Sequence, residues 1–131
     1  MTAPPDSRWQ HKKANFDRAL SALVQSLVSP VTEARDVSGI VKDFEIVYEL
    51  SWKCLKAVLE KQGHESGTAR DVFARAYQLR LLDDEAAWLE MIEDRNLAVH
   101  TDDEKLAQAL CDRIRSRYVT AFQQLQKTLH A

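Results

Sequence analysis

The chain has 131 residues and a formal net charge of −2, with 45% hydrophobic and 29% charged residues. That length supports one hydrophobic core and leaves no room for a second, so residues 1–131 are expected as a single domain. The charge excludes a positive field over the whole surface that would gather nucleic acid, though not a local site.

Three glycines and three prolines occur, and Pro4 and Pro5 account for two of the prolines. Sheet proteins spend more Gly and Pro on frequent turns, so few, long elements are expected. Residues 1–8 are expected to be frayed. The first helix is predicted from Trp9 to Leu27, with Phe16, Leu20, Leu23, Val24, Leu27 and Val28 as its apolar stripe, ending ahead of Pro30. The second is predicted from Val37 to Gln62, with Gly63 just past its end. At about 100° per residue, Ile40, Phe44, Val47, Tyr48, Ser51, Leu55, Val58 and Leu59 share one side, and Leu50, Cys54 and Trp52 widen it. The apolar arc then covers roughly half the helix, which predicts several packing neighbours or a subunit interface. Glu45, Glu49, Lys53, Lys56 and Glu60 fill the opposite side, with Glu49 and Lys53 spaced for an i,i+4 pair.

Thr68 is placed to cap a short helix with Val72, Phe73, Ala76 and Tyr77 on its apolar face. Asp83 or Asp84 then caps a helix with Trp88, Met91 and Ile92 as its stripe. Thr101-Asp102-Asp103-Glu104 reads as a capping box, Thr101 as N-cap, for a last helix. Its stripe is Ala107, Leu110, Cys111, Ile114, Tyr118, Ala121, Phe122, Leu125 and Leu129. The fold expected is an all-α, up-and-down bundle of four long helices plus one short helix, since short connections make antiparallel neighbours. Cys54 and Cys111 lie on apolar faces and read as reduced thiols. No metal-ligand spacing occurs, and no metal or other cofactor is implied. The opening MTAPPDSRWQHKKANF lacks the apolar core of a secretory signal, and no apolar run reaches about 18 residues. A cytoplasmic protein with no membrane span is expected.

One corner stands out. Arg95 lies seven residues after Trp88 and about 20° off its line, so an arginine extends an apolar stripe. His100 follows five residues later and would point about 140° away on one helix, but a break before the capped helix can bring it back. A histidine shuttles protons near neutral pH, and an arginine forks onto a phosphate, so the pair suits phosphate ester cleavage by an RNA 2′-hydroxyl without metal. Asn96 can hold the imidazole or add a donor. A second reading stays open beside it: an arginine in a last turn favours the helix dipole, and a histidine before a cap can satisfy loop backbone. Asp94, Asp102, Asp103 and Glu104 crowd the corner, ready to pair with Arg95 or a basic partner. His11, Lys12, Lys13 and Arg18 form a small basic patch that reads as solvated surface. His64 and His130 read as having no specific role, Trp52 and Trp88 as packing anchors, and Arg113, Arg115 and Arg117 as fanning around the last helix.

The run Asp43-Phe44-Glu45-Ile46-Val47-Tyr48-Glu49-Leu50-Ser51-Trp52-Lys53-Cys54-Leu55-Lys56, with Gln62-Gly63 after it, resembles a known family, as does Arg95-Asn96-Leu97-Ala98-Val99-His100-Thr101. Together they resemble the HEPN superfamily, in its nucleotidyltransferase substrate-binding branch, from about Phe16 to Leu125. The resemblance implies a helical bundle that forms a two-fold homodimer with its arginine–histidine motifs facing a shared cleft. It also implies a small, separately encoded nucleotidyltransferase as partner. In some such pairs the HEPN protein is a metal-independent ribonuclease toxin that the transferase silences; in others it binds the transferase's substrate. Arg95 and His100 match the motif's arginine and histidine, and Asn96 matches its polar second position. Ribonuclease members carry a tyrosine two positions after the histidine, where the partner can modify it. Asp102 stands there instead, with no phenol to modify. The expected function is therefore a HEPN-type partner of a nucleotidyltransferase, in a toxin–antitoxin-like module, with metal-independent ribonuclease activity at Arg95, Asn96 and His100. A non-catalytic nucleotide- or substrate-binding subunit of the nucleotidyltransferase, and a purely structural dimer, are the alternatives, and RNA or a nucleotide is the ligand expected beside the protein partner.

Overall fold

The computed structural model describes residues 7–98 and 102–131, and every regular element among them is helical. Helix α1 is Ser7–Val28, α2 is Ala34–Lys61, α3 is Ala69–Gln78, α4 is Glu85–Leu97, α5 is Glu104–Arg113 and α6 is Val119–Leu129. A π-turn, Ile114–Tyr118, joins α5 to α6 without a break, because the backbone stays right-handed helical at both junctions. The last three pieces are one rod.

The direction of each helix follows from which residues meet. The Ser26 hydroxyl donates to Asp43 at 2.6 Å and the Cys54 thiol lies 3.7 Å from the Lys12 carbonyl, so α1 and α2 are antiparallel. Arg113 meets Asp94 and Arg117 meets Glu90, so α4 runs against the rod. Cys111 meets the Val37 carbonyl and Phe44 stacks on Tyr118, so the rod runs with α2. That is the up-and-down bundle, with α3 as its short helix.

Helix α2 is central and touches α1, α3, α4, α5 and α6. Its wide apolar arc is used inside the chain, which removes the width of the arc as a reason for a subunit interface. Ser51 is buried in it and donates to the Val47 carbonyl at 2.7 Å, so its hydroxyl is not left unpaired. The core closes as a loop of rings: Phe44, Tyr48, Phe73, Trp88 and Phe122 follow one another with centroids 5.0–6.2 Å apart, and Tyr118 stacks on Phe44. Such tilted and edge-on pairs are worth about 0.5–1.5 kcal/mol each beyond burial. They tie α2, α3, α4 and the rod together.

The helix ends are set by local chemistry. Thr68 accepts from the Asp71 N–H and Asp84 from the Ala87 N–H, as the sequence predicts. Gly63, at φ 85°, is the left-handed residue past α2, where the His64 N–H reaches the Leu59 carbonyl and the Gly63 N–H the Glu60 carbonyl. The same pattern ends α3, but there the left-handed residue is Arg80, at φ 62°. At the start of α2, three residues earlier than predicted, Asp36 reaches back to the N–H groups of Thr32 and Glu33. Those bonds hold its carboxyl below the usual range.

Several expectations need correction. The last helix is capped by Asp103, whose carboxylate accepts from the Lys105 and Leu106 N–H groups at 3.1 Å, so Glu104 is its first residue rather than the third of a box begun by Thr101. Thr101 itself lies outside the described residues. Val28 is 73% exposed and Tyr77 44% exposed. Val28 stands about 120° around α1 from Phe16, and Tyr77 about 100° from Ala76, beyond the faces their helices bury. Of the stretch expected to be frayed, Ser7 and Arg8 already belong to α1, and residues 1–6 lie outside the description. No described helix is long and apolar enough to cross a membrane.

Candidate functional site

Helix α4 presents its last turn to two partners at once. Asp94 faces the rod and Arg95, about 100° around, faces α2. The Arg95 guanidinium meets two carboxylates one turn apart on α2. Its NH1 is 3.7 Å from Glu45 Oε2, and its Nε is 3.8 Å from Glu49 Oε1. Both distances are too long for hydrogen bonds. The Arg95 side chain is 32% exposed, yet its Nε is shut off from solvent with no hydrogen-bond acceptor among the described residues. A buried donor left this way costs about 1–3 kcal/mol. Glu49 is held from the other side, since Trp52 Nε1 donates to its Oε2 at 3.1 Å. The expected Glu49–Lys53 pairing gives way to Trp52 and Arg95. Tyr48 lies beneath, and burial together with the Glu49 carboxylate pushes its hydroxyl up to about 12, so it stays protonated.

Asp94 does not pair with Arg95. It is buried at 3% exposure and takes a bidentate fork from Arg113, Nε and NH2 each at 2.8 Å. The Tyr118 hydroxyl donates to the same carboxylate and lies 3.0 Å from Glu90, which also accepts from Arg117 at 2.9 Å. Burial and these two carboxylates push the Tyr118 hydroxyl far up, and the Asp94 contact raises Arg113 as well. Arg113 and Tyr118 are five residues apart and would diverge by about 140° on a regular α-helix. The π-turn brings both onto Asp94. Arg113 and Arg117 thus share the face toward α4, and only Arg115 of the three points away to solvent.

Asn96 is exposed on α4 beside Arg95. His100 lies outside the described residues. Asp102 is exposed just beyond, and Asp103 is committed to capping α5. The structure therefore brings Glu45 and Glu49, not read as site residues, onto Arg95. Their i,i+4 spacing on one helix, with Trp52 three residues on, is the signal the sequence offered. Among the described residues no three His, Cys, Asp or Glu side chains converge as a metal set. His130 is not idle at the end of the chain, since its Nε2 lies 2.8 Å from Asp17 Oδ2 on α1. Trp88 is a buried anchor as expected, while Trp52 is partly exposed with Lys56 Nζ 5.8 Å from its ring centre. The basic residues of α1 are spread out, and Lys12 shares a shallow groove with Arg8, Trp9 and Lys61 at the far end of α2.

Comparison with known proteins places the chain in a family. Residues 11–131 match the family described as "nucleotidyltransferase substrate binding protein like". A Thermus thermophilus protein of known structure is 30% identical, covers 88% of this chain and 99% of its own, and superposes with a TM-score of 0.82. A Haemophilus influenzae structure, described as the fold of a substrate-binding domain of a nucleotidyltransferase, gives 0.83 at 24% identity, over 91% of this chain and 99% of its own. A tri-AMPylated Shewanella oneidensis HEPN toxin, bound to its MNT antitoxin, gives 0.76 at 16% identity, over 93% and 96%. The last two likenesses are of fold. A probable ribonuclease HepT of Haemophilus influenzae is 29% identical over 79 residues, which are 56% of this chain and 54% of that protein. The chain thus spans about half the length of that curated relative.

Proposed function

The chain belongs to the nucleotidyltransferase substrate-binding-protein-like family, and from that premise we propose a HEPN-type partner of a small nucleotidyltransferase that cleaves RNA without metal. The family ties the chain to HEPN and toxin–antitoxin proteins. The step from there to RNA cleavage rests on one observation, the buried Arg95 Nε that has no hydrogen-bond acceptor among the described residues. A phosphate oxygen is an acceptor of the right charge, and the Arg95 side chain is about a third exposed. Arg95 meets the phosphate as negative charge builds on it. His100 moves the proton, and Asn96 adds a donor.

Single-stranded RNA is to be incubated in excess EDTA with wild type, His100→Ala and Arg95→Ala. The expected result is wild-type cleavage leaving a 2′,3′-cyclic phosphate, with each variant slower by about 10²–10⁴. Cleavage abolished by EDTA, or equal cleavage by wild type and His100→Ala, overturns the assignment. A protein that binds RNA and never cuts it is the non-catalytic substrate-binding subunit. The exposed Asp102, a carboxylate where ribonuclease members carry tyrosine, favours that second reading.

A further inference from the structure

The two carboxylates facing Arg95 are ion-pair partners at long range. The neighbouring residue supplies the contrast. One position earlier, Asp94 and Arg113 form a pair with two nitrogens at 2.8 Å. The same helix turn leaves Arg95 at 3.7 and 3.8 Å from its carboxylates, with Nε unpaired. The arrangement holds positive and negative groups side by side without hydrogen bonds between them. A substrate that meets the exposed part of Arg95 with an anion therefore finds a carboxylate beside it to take a proton.

The geometry points to Glu49 as the general base that accepts the 2′-hydroxyl proton, an inference that rests on the ribonuclease reading above. Three features select Glu49. Its Oε2 accepts from Trp52 Nε1, which fixes the carboxylate and leaves Oε1 without a hydrogen bond among the described residues. That oxygen is the one 3.8 Å from Arg95 Nε. Its side chain is 40% exposed, against 23% for Glu45, so a ribose can reach it. Guanidinium donors sit about 2.7–2.9 Å from a bound phosphate oxygen. In a nucleotide poised to react, the 2′-oxygen lies about 3–3.5 Å from phosphorus. A phosphate on Arg95 therefore brings its 2′-hydroxyl within reach of a carboxylate beside that guanidinium. A base oriented by a third group, next to an anion-binding donor, is the arrangement acid–base catalysis requires.

The step balances without a cofactor. Glu49 Oε1 takes the 2′-hydroxyl proton as the 2′-oxygen bonds to phosphorus. The bond from phosphorus to the 5′-oxygen breaks, and the 5′-oxygen leaves with the electron pair and takes a proton from the His100 imidazolium, the proton that His100 moves in the reading above. The products are a 2′,3′-cyclic phosphate and a 5′-hydroxyl, and Glu49 returns its proton to water.

Glu49→Gln keeps the size of the side chain and an acceptor for Trp52 while removing the base. Single-turnover cleavage of single-stranded RNA in EDTA should fall by about 10²–10⁴ in this variant. Binding of the same sequence as a 2′-deoxy oligonucleotide should be unchanged or tighter, since a negative charge beside the phosphate is gone. Glu60→Gln, exposed on the same helix, should cut at the wild-type rate, and Glu49→Asp should recover part of the loss. Glu49→Gln cutting like wild type overturns the base assignment and leaves the ribonuclease reading standing. A loss of deoxy-oligonucleotide binding that accounts for the loss of rate makes Glu49 a structural residue and also overturns it. Absence of cleavage in the wild-type arm alone overturns the ribonuclease reading, and the base with it.

Discussion

Cys54 and Cys111 are both fully buried and unpaired with each other, each with its sulfur 3.7 Å from a backbone carbonyl, of Lys12 and Val37 respectively. Burial pushes each thiol up to about 11 from a usual 9.0. The raised value makes the folded state the better proton binder, so its contribution to stability is complete below pH 9 and is lost as pH climbs from there to about 11. Each thiol removes roughly 1.4 kcal/mol per pH unit across that window. Denaturation midpoints are expected to drop between pH 9 and 11, less so in Cys54→Ala, once corrected for the cavity that variant leaves. Flat midpoints across the window would mean that the thiols are not the buried acids the structure shows. Arg95 bears a related cost at a donor: among the described residues its buried Nε has no hydrogen-bond acceptor, only the Glu49 carboxylate at 3.8 Å.

Among the elements, the π-turn carries the most specific information. An i→i−5 bond from the Val119 N–H to the Ile114 carbonyl replaces the regular pattern. What it provides is a face on which Arg113, Arg117 and Tyr118 all meet α4. Asp94 is the buried member, and removing its guanidinium leaves its charge with only the Tyr118 hydroxyl. Arg113→Ala is expected to destabilise by about 1–3 kcal/mol, discounted because Arg113 is itself a third exposed. Arg115→Ala, on the solvent side of the same turn, should stay within about 0.5 kcal/mol. Urea titration of the two variants decides it, and equal midpoints would show that the turn is not organised around Asp94. Because Asp94 and Arg95 are adjacent, this contact also sets the rotational phase of the α4 end, and with it the direction of Arg95.

As a whole molecule the bundle satisfies α2 internally, so a dimer must be argued from what stays outside. Ile46 is 41% exposed on α2 and Leu97 36% exposed at the end of α4, on the elements that carry the Glu45–Glu49–Arg95 cluster. A two-fold dimer that brings two such clusters together is expected, and sedimentation equilibrium at micromolar concentration should find it. A monomer that stays monomeric there would remove the shared cleft and leave each Arg95 to act alone.

The helices, their order and most of their ends were legible in the sequence, because spacing of apolar residues, Thr68, Asp84 and Gly63 act over one or two turns of chain. Arg95 was legible for the same reason, as a charge on an apolar stripe. The acidic half of the candidate site was not. Glu45 and Glu49 sit on the polar side of α2, and periodicity cannot tell a polar face turned to water from one turned to an arginine roughly fifty residues away in sequence. Nor could it show that Asp94 pairs with Arg113 rather than Arg95, since that choice depends on a π-turn that brings Arg113 and Tyr118 onto one face. Local rules act within a helix, so the sequence by itself determined the bundle. Which charges meet across helices depends on how those helices are rotated against one another, and only the tertiary packing decided that.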